Sequence, residues 1–239
     1  VSKTAASALL RGARGNSGVI LSLLFRGFSK GLAGKSTAAP ADIANALSLG
    51  VEAAYKAVMK PAEGTILTVS RLAAARAADA ARATPNDPEA VLEAAIAEGQ
   101  LALENTINQN PVLKKAGVVD AGGKGFLVIL QGMLDSMRGL PLPEESGDHA
   151  KPEQKTDYAA IAAEEITFTF DTVFIVRKTT RKSLEAFQAY LNSIGDSLVI
   201  GEDDDAFKVH VHTDIPGAAL TEAQKYGTLE LAKIENMRT

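Results

Sequence analysis

Three glycine-rich stretches hold the residues of this sequence that are best suited to bind an anion. The first, RGARGNSGVI, covers residues 11–20 and interrupts a helical pattern with three glycines. Glycine within a helix costs about 1 kcal/mol relative to alanine, but it permits positive φ and the close approach of a ligand. If Asn16 or Ser17 caps the next helix, the free N–H groups at its positive end would face an anion. A plain break between two helices, with Arg14 on the surface, is the alternative.

The other two stretches repeat this pattern. VVDAGGKGF, residues 118–126, has Asp120 as a candidate cap before a glycine-rich turn, and KPAEGTILTV, residues 60–69, has Thr65 in the same role. Neither stretch follows a predicted strand, which excludes a P-loop and a Rossmann fingerprint. The three stretches would line one anion pocket if their loops converged at one end of antiparallel helices. Ordinary helix starts, with Lys124 in solvent, are the alternative.

A pair of histidines in KVHVHTD, residues 208–214, is suited to hold one metal ion. His210 and His212 project from the same face of a predicted strand because strand side chains alternate, and imidazoles are common zinc ligands. Asp171, in the first predicted strand, would add a carboxylate. The alternative is a packed or exposed histidine pair without metal, since the chain has no cysteine.

These candidate sites are distributed over two predicted domains. Residues 1–140 are rich in alanine and have apolar positions at helical spacing, which predicts a domain of antiparallel helices; its segment 126–137 is apolar nearly all round and predicts a central, buried helix. Residues 141–157, including His149, are rich in proline and charge and predict a solvated linker. Residues 158–239 predict the order β-α-β-β-α-β, which is typical of a smaller, ferredoxin-like α+β domain.

Composition narrows the class of protein. The chain has 239 residues, of which 46% are hydrophobic and 23% charged, and its formal net charge is −4. This composition is that of a globular protein and argues against binding to nucleic acid. The lack of cysteine excludes disulfides and leads us to expect a cytoplasmic location. No apolar run reaches the roughly 18 residues of a membrane span.

Longer stretches around the motifs resemble a known kinase family. LLRGARGNSGVILSLLFRGFSKGL, AYKAVMKPAEGTILTV and PVLKKAGVVDAGGKGFLVIL are similar to the nucleotide-binding domain shared by dihydroxyacetone kinases and the bacterial fatty acid kinase. SIGDSLVIGEDDDAFKVHVHTDIPG and KIENM resemble the middle domain of the ATP-binding subunit of fatty acid kinase. The two resemblances together cover almost the whole chain, and their order favours the fatty acid kinase branch.

The resemblance implies an antiparallel eight-helix barrel that binds ATP and magnesium at one end. The phosphoryl group would pass to the carboxylate of a fatty acid held by a separate carrier protein. By match of motif, the residues lining the nucleotide would be Gly15, Asn16, Ser17, Gly18, Gly64, Thr65, Asp120, Gly122 and Gly123. We also expect the second domain to mediate self-association, as a homodimer.

The sequence departs from the family pattern in three places. The aspartate-rich DGDTG loop that holds magnesium upstream of GARGNSG is absent, so we expect the chain as given to be inactive, with its catalytic residues unassigned. Asp171 stands where a cysteine joins the two histidines as a zinc ligand in the family, which puts zinc in question. The C-terminal domain of longer members is absent after Thr239.

Two alternative functions follow from the same motifs. The chain could belong to a dihydroxyacetone (glycerone) kinase as its nucleotide-binding subunit, although the middle-domain resemblance disfavours this. It could also be a non-catalytic binding or dimerisation module in which the helices serve as a scaffold.

Overall fold

Helices come first along the chain, and a four-stranded sheet with two helices follows. The computed structural model describes residues 1–141 and 166–238. The helices in the first range are α1 (Ser2–Gly12), α2 (Gly15–Gly31), α3 (Pro40–Ala57), α4 (Ile66–Ala83), α5 (Pro88–Gln109), α6 (Pro111–Ala116) and α7 (Ala121–Met137). Most of the predicted linker, with His149, and the first part of the predicted second domain lie outside the described residues.

The second range contains the predicted β-α-β-β-α-β order. Its elements are β1 (Phe170–Lys178), α8 (Glu185–Ile194), β2 (Gly195–Glu202), β3 (Ala206–Thr213), α9 (Pro216–Ala223) and β4 (Gly227–Asn236). The strands form one antiparallel sheet in the order β2-β3-β1-β4. The prediction of a mainly α region followed by a smaller α+β region is therefore confirmed, whereas closure of the helices into a barrel stays a prediction.

Several helices begin where the local sequence predicts. Thr65 caps α4 and Asp120 caps α7, each by accepting a hydrogen bond from a main-chain N–H of the first turn. Helices α3 and α5 begin at Pro40 and Pro88, because proline has no N–H to lose in the first turn and its φ already suits a helix. None of the described helices is long and apolar enough to cross a membrane.

The described residues group into two compact units that alternate along the chain. The first unit contains residues 1–36, 45–61 and 166–238, and the second contains residues 37–44 and 62–141. Helices α1 and α2 thus belong to the same unit as the sheet, and α3 contributes to both units.

In the second unit, α4, α5 and α7 meet at small residues. A Cβ atom on Gly99 of α5 would lie 2.4 Å from Cδ2 of Leu127 in α7 and 3.5 Å from Cβ of Ala73 in α4. Ala77 and Ala81 are buried along α4 as well. Side chains of this size let neighbouring helices approach closely, and the alanine-rich composition of these segments serves that packing.

Helix α7 buries one face rather than its whole circumference. Phe126, Leu127, Leu130 and Leu134 are buried, at the spacing of a single helical stripe. Val128, on another side of the helix, is 64% exposed. The prediction that segment 126–137 is buried all round is therefore wrong, because a helix can have apolar residues on every side and still pack along one stripe.

In the first unit, the sheet has an apolar core on one face. Phe174 and Phe207, from β1 and β3, pack with Phe187 of α8 and with Tyr226. Alternate strand residues point to opposite faces, so this core takes every second residue of β3. The remaining residues of β3 include Lys208, His210 and His212, which therefore share the other face.

Helices α1 and α2 pack on that other face of the sheet. A Cβ atom on Gly201 of β2 would lie 2.7 Å from Cδ1 of Leu10 in α1 and 3.3 Å from Cγ1 of Val19 in α2. Ser7 of α1 also donates a 2.8 Å hydrogen bond to the carboxylate of Asp203. Strand β3 is consequently buried on both faces, which its alternating sequence alone does not indicate.

Candidate anion and metal sites

The junction between α1 and α2 is the first candidate site. Helix α1 ends at Gly12 and α2 begins at Gly15, whose φ of +60° is a conformation that favours glycine. The extended backbone at Arg14 makes that residue the N-cap. Asn16 and Ser17 therefore occupy the first turn of α2, and the prediction that one of them caps the helix is wrong.

The first turn of α2 has the electrostatic features of an anion site. It contains no acidic residue, and none of the described side chains caps its N–H groups. Unpaired N–H groups at the start of a 17-residue helix attract negative charge. The Oδ1 atom of Asn16 is buried and has no hydrogen-bond partner among the described residues. An unpaired buried polar atom costs about 1–3 kcal/mol, so a ligand that donates to it would be favoured.

The other two glycine-rich stretches adjoin within the second unit. Gly64 has a φ of +74°, and its N–H donates to Oγ1 of Thr68 at 2.9 Å. Across from it, Oδ2 of Asp120 accepts from the N–H of Gly123 at 2.6 Å. Burial raises the pKa of the Asp120 carboxyl, while hydrogen bonds from the main chain of Gly123 and Ile66 oppose that rise. Asp120 therefore connects the start of α7 with the start of α4.

Thr106 supports this arrangement and was not predicted from the sequence. Its hydroxyl accepts from the N–H of Asp120 at 3.1 Å and donates to the carbonyl of Leu103 at 2.6 Å. Gly123 packs so closely that a Cβ atom would lie 2.8 Å from Cγ2 of Val69. The signal for Thr106 is weak: a hydroxyl residue on the otherwise apolar, buried face of α5.

The predicted nucleotide residues thus form two groups. Gly64 and Thr65 lie near Asp120, Gly122 and Gly123 in the second unit. The first turn of α2, with Gly15, Asn16, Ser17 and Gly18, belongs to the first unit. That both groups line one pocket stays a prediction.

The second kind of site lies on the sheet, where Asp171, His210 and His212 come together. One ligand atom from each residue lies within 4.8 Å of the others. The Nε2 atoms of the two histidines are 3.2 Å apart, and Nδ1 of His210 is 3.4 Å from Oδ1 of Asp171. Within residues 1–141 and 166–238, this is the one group of three acidic or imidazole side chains with such spacing.

Strand register explains why these side chains meet. His212 lies opposite Asp171 on one side and opposite Asp196 on the other. A register irregularity follows Asp196, where Ser197 has a φ of +53°. Asp196 places Oδ1 3.5 Å from Nδ1 of His212. It was missed in the sequence because β2 was expected to begin at residue 197; the signal is its position just before the alternating strand.

The residues of this site fit a divalent transition metal. Burial, with a smaller effect of His212, lowers the pKa of His210 to about 4, although Asp171 opposes the change. His210 is therefore neutral at pH 7 and has a lone pair to donate. Oδ1 of Asp171 and Nδ1 of His210 are buried without hydrogen-bond partners among the described residues. Two imidazoles and a carboxylate are a recurrent zinc ligand set.

The described residues do not fit the magnesium that the resemblance implies. Magnesium prefers carboxylate oxygens and water in an octahedral arrangement. No cluster of three carboxylates with suitable spacing occurs in the part of the chain that the structure describes. We therefore assign no residue to magnesium and derive no chemical step through it.

Comparison with known proteins agrees with the resemblance seen in the sequence. Residues 1–135 match the DAK2 domain, and residues 167–239 match the FakA-like middle domain of fatty acid kinase. Protein YloV of Bacillus subtilis is 44% identical over 243 residues, covering 96% of this chain and 43% of the relative. An uncharacterized protein of Staphylococcus saprophyticus is 42% identical over 243 residues, covering 99% of this chain and 44% of the relative.

The chain spans less than half the length of these relatives. The DAK2 match alone covers more than half of the chain. The chain therefore belongs to the DAK2 domain family, and it carries a FakA-like middle domain of fatty acid kinase as well.

Proposed function

We propose that this chain is the nucleotide-binding part of a kinase subunit, which transfers a phosphoryl group from ATP to a fatty acid held by a separate carrier protein. The observation that carries the proposal is the joint match of residues 1–135 to the DAK2 domain and of residues 167–239 to the FakA-like middle domain of fatty acid kinase. The second match favours a fatty acid over dihydroxyacetone as the phosphoryl acceptor.

The start of α2 supports nucleotide binding through two complementary groups. Its unpaired N–H groups suit the negatively charged phosphates of ATP. The buried Oδ1 of Asn16 is an acceptor and cannot pair with a phosphate oxygen, so it suits a hydroxyl or amino group of the same nucleotide. A nucleotide offers both kinds of partner, whereas inorganic phosphate offers only the first.

The reaction makes modest demands on the protein. A carboxylate oxygen of the fatty acid attacks the γ-phosphorus, the bond from that phosphorus to the bridging oxygen breaks, and ADP leaves with the electron pair. The products are an acyl phosphate and ADP. Such transfers depend mainly on positioning and on neutralising charge. Main-chain N–H groups in glycine-rich turns, which bring no bulk of their own, are suited to that task.

Calorimetric titration of the protein with a non-hydrolysable ATP analogue tests the nucleotide site. Replacing Asn16 and Ser17 with alanine should weaken binding about tenfold or more, since hydrogen bonds to a charged ligand contribute roughly 1.5–3 kcal/mol. The matched control replaces Asn192 and Ser193, an exposed Asn-Ser pair in α8, and should leave the affinity unchanged. A protein that does not bind the analogue, or that responds equally to both pairs, would be a scaffold instead.

A two-substrate assay separates the kinase alternatives. We expect the protein to consume ATP when a fatty acid and its carrier protein are both present, and to leave dihydroxyacetone unphosphorylated. Consumption of ATP with dihydroxyacetone, but not with the loaded carrier, would assign the chain to a glycerone kinase. Omitting the carrier is the internal control, because a fatty acid free in solution should not be a substrate.

We also propose that Asp171, His210 and His212 hold a zinc-class divalent ion. Their spacing and the two unpaired buried atoms support this. After treatment with a chelator, the protein should bind Zn²⁺ in a calorimetric titration, and His212→Ala should weaken binding about tenfold or more. Asp171→Cys should tighten it because thiolate is a softer ligand.

The third histidine provides the control for the metal experiment. His149 lies in the predicted linker, and His149→Ala should leave Zn²⁺ binding unchanged. Equal losses in His149→Ala and His212→Ala would contradict the site on the sheet.

A further inference from the structure

Lys208 is buried in an unusual environment for a charged side chain. It is 3% exposed, and no carboxylate of the described residues forms an ion pair with it. Its Nζ atom instead donates to two main-chain carbonyl oxygens, that of Arg11 at 3.2 Å and that of Ala13. Lysine is rarely buried without a partner, so these two carbonyls are the groups that balance its burial.

The two carbonyls lie at the end of α1, on the sheet face that α1 and α2 cover. Lys208 is paired in register with Gly201 of β2, which packs against Leu10 of α1 and Val19 of α2. Lys208 is thus next to the place where both helices contact the sheet. The lysine and its two carbonyls are far apart in sequence, with Arg11 and Lys208 separated by 197 positions.

The end of α1 has few other means of stabilisation. Its C-cap residue, Ala13, has a φ of −57° and so does not adopt the left-handed cap that commonly satisfies the last carbonyls. An ammonium group is a good substitute because it donates several hydrogen bonds and its charge complements the negative end of the helix. The other polar contacts of α1 with the turn after β2, from Lys3 and Ser7, lie nearer its start.

We infer that Lys208 is a positioning residue for the nucleotide: it holds the α1–α2 junction so that the first turn of α2 keeps its N–H groups and Asn16 in place. Residues 11 and 13, which it binds, directly precede Gly15. This inference rests on the proposed nucleotide site. It means that a strand of the middle domain shapes the anion-binding turn in the DAK2 domain.

Hydrogen exchange and nucleotide titration of the same variants test this role. Lys208→Met keeps the apolar stem of the side chain and removes its donors and charge. We expect main-chain exchange at residues 14–18 to accelerate and affinity for the ATP analogue to fall about tenfold, as a small displacement of a binding group can cause. Lys208→Arg, which keeps the donors, should restore part of the affinity.

Lys178→Met is the matched control. Lys178 also donates to a carboxylate and a carbonyl, those of Glu202 and Asp203 at 2.7 Å, but both partners belong to the sheet and its turn. A similar loss of thermal stability in this variant should leave exchange at residues 14–18 and nucleotide affinity unchanged. If Lys208→Met does not fold, Lys208→Gln takes its place with the same expected order.

The two measurements fail independently. Equal exchange at residues 14–18 in the Lys208 and Lys178 variants would overturn the positioning role, whatever the nucleotide affinity. If the wild-type protein does not bind the analogue, while exchange accelerates in Lys208→Met alone, the proposed nucleotide site is wrong and Lys208 only anchors the helix junction. Slower exchange with weaker binding would also overturn the inference.

Discussion

At the scale of single residues, Asp120 combines a local and a long-range role. Its carboxylate accepts from Gly123 in the first turn of α7, as an N-cap does, and its main-chain N–H donates to the buried hydroxyl of Thr106 in α5. Only the first of these contacts is visible in the sequence, because it joins residues three positions apart.

Two substitutions separate the cap from the charge of Asp120. Asp120→Ala should lower the free energy of unfolding by about 1 kcal/mol because the first turn of α7 loses its cap. Asp120→Asn keeps an acceptor oxygen and should cost less. Urea denaturation at pH 7 measures both. Equal losses in the two variants would show that the charge, rather than the acceptor, stabilises the turn.

The raised pKa of Asp120 also has a consequence for pH. Since burial raises the pKa of its carboxyl above 3.8 in the folded chain, the folded state holds this proton more tightly than the unfolded state does. Relative to Asp120→Asn, the wild-type chain should therefore be most stable below pH 3.8 and lose stability as the pH rises through the folded pKa. Parallel pH profiles for the two proteins would contradict this.

At the scale of elements, the contact between α2 and α3 depends on two glycines. A Cβ atom on Gly27 would lie 2.2 Å from the carbonyl oxygen of Leu49, and one on Gly50 would lie 2.5 Å from that of Leu24. Both distances are far shorter than a van der Waals contact, and the obstructing atoms are main chain. The two helices can cross here only because neither glycine has a side chain.

Gly27→Ala should therefore destabilise the protein by about 1–3 kcal/mol or more, since the helices must separate to admit the methyl group. Gly132→Ala is the control: Gly132 lies on the exposed side of α7, and a Cβ atom added there would have no neighbour within 4 Å among the described residues. It should be neutral or stabilise by up to about 1 kcal/mol through helix propensity. Thermal unfolding compares the two; the same sign and size in both would contradict the packing argument.

At the scale of the whole molecule, the two units should respond separately to core damage. Leu191 of α8 and Leu92 of α5 are both fully buried, the first in the unit that contains the sheet and the second in the other. Replacing either by alanine should cost about 2–5 kcal/mol through loss of contacts and a cavity.

Hydrogen exchange locates the response. Leu191→Ala should accelerate exchange in β1–β4 and also in α1 and α2, because these helices belong to the unit of the sheet. Leu92→Ala should accelerate exchange in α4, α5 and α7 instead. If α1 and α2 followed the Leu92 variant, the grouping of the first two helices with the sheet would be contradicted.

The local parts of the fold and of the candidate sites were predictable from the sequence. Thr65 and Asp120 indicate where helices start because a cap acts on the next turn of its own chain. His210 and His212 share a face because alternation is a property of any strand. The family resemblance extended the prediction to the order of the two matched segments, which the comparisons confirm.

The residues that the sequence did not reveal are those whose partners are distant along the chain. Asp196 reaches His212 only through strand register, Thr106 supports Asp120 from another helix, and Lys208 binds the end of α1. None of the three has a characteristic local pattern.

The sequence by itself thus determined the elements, their starts and the histidine pair, because hydrogen bonds within a turn or alternation along a strand decide these over a few residues. The tertiary structure alone decided that α1 and α2 cover one face of the sheet and that Lys208 meets the carbonyls of Arg11 and Ala13. Such contacts depend on which apolar surfaces pack together, and many sequences with the same local pattern could pack differently.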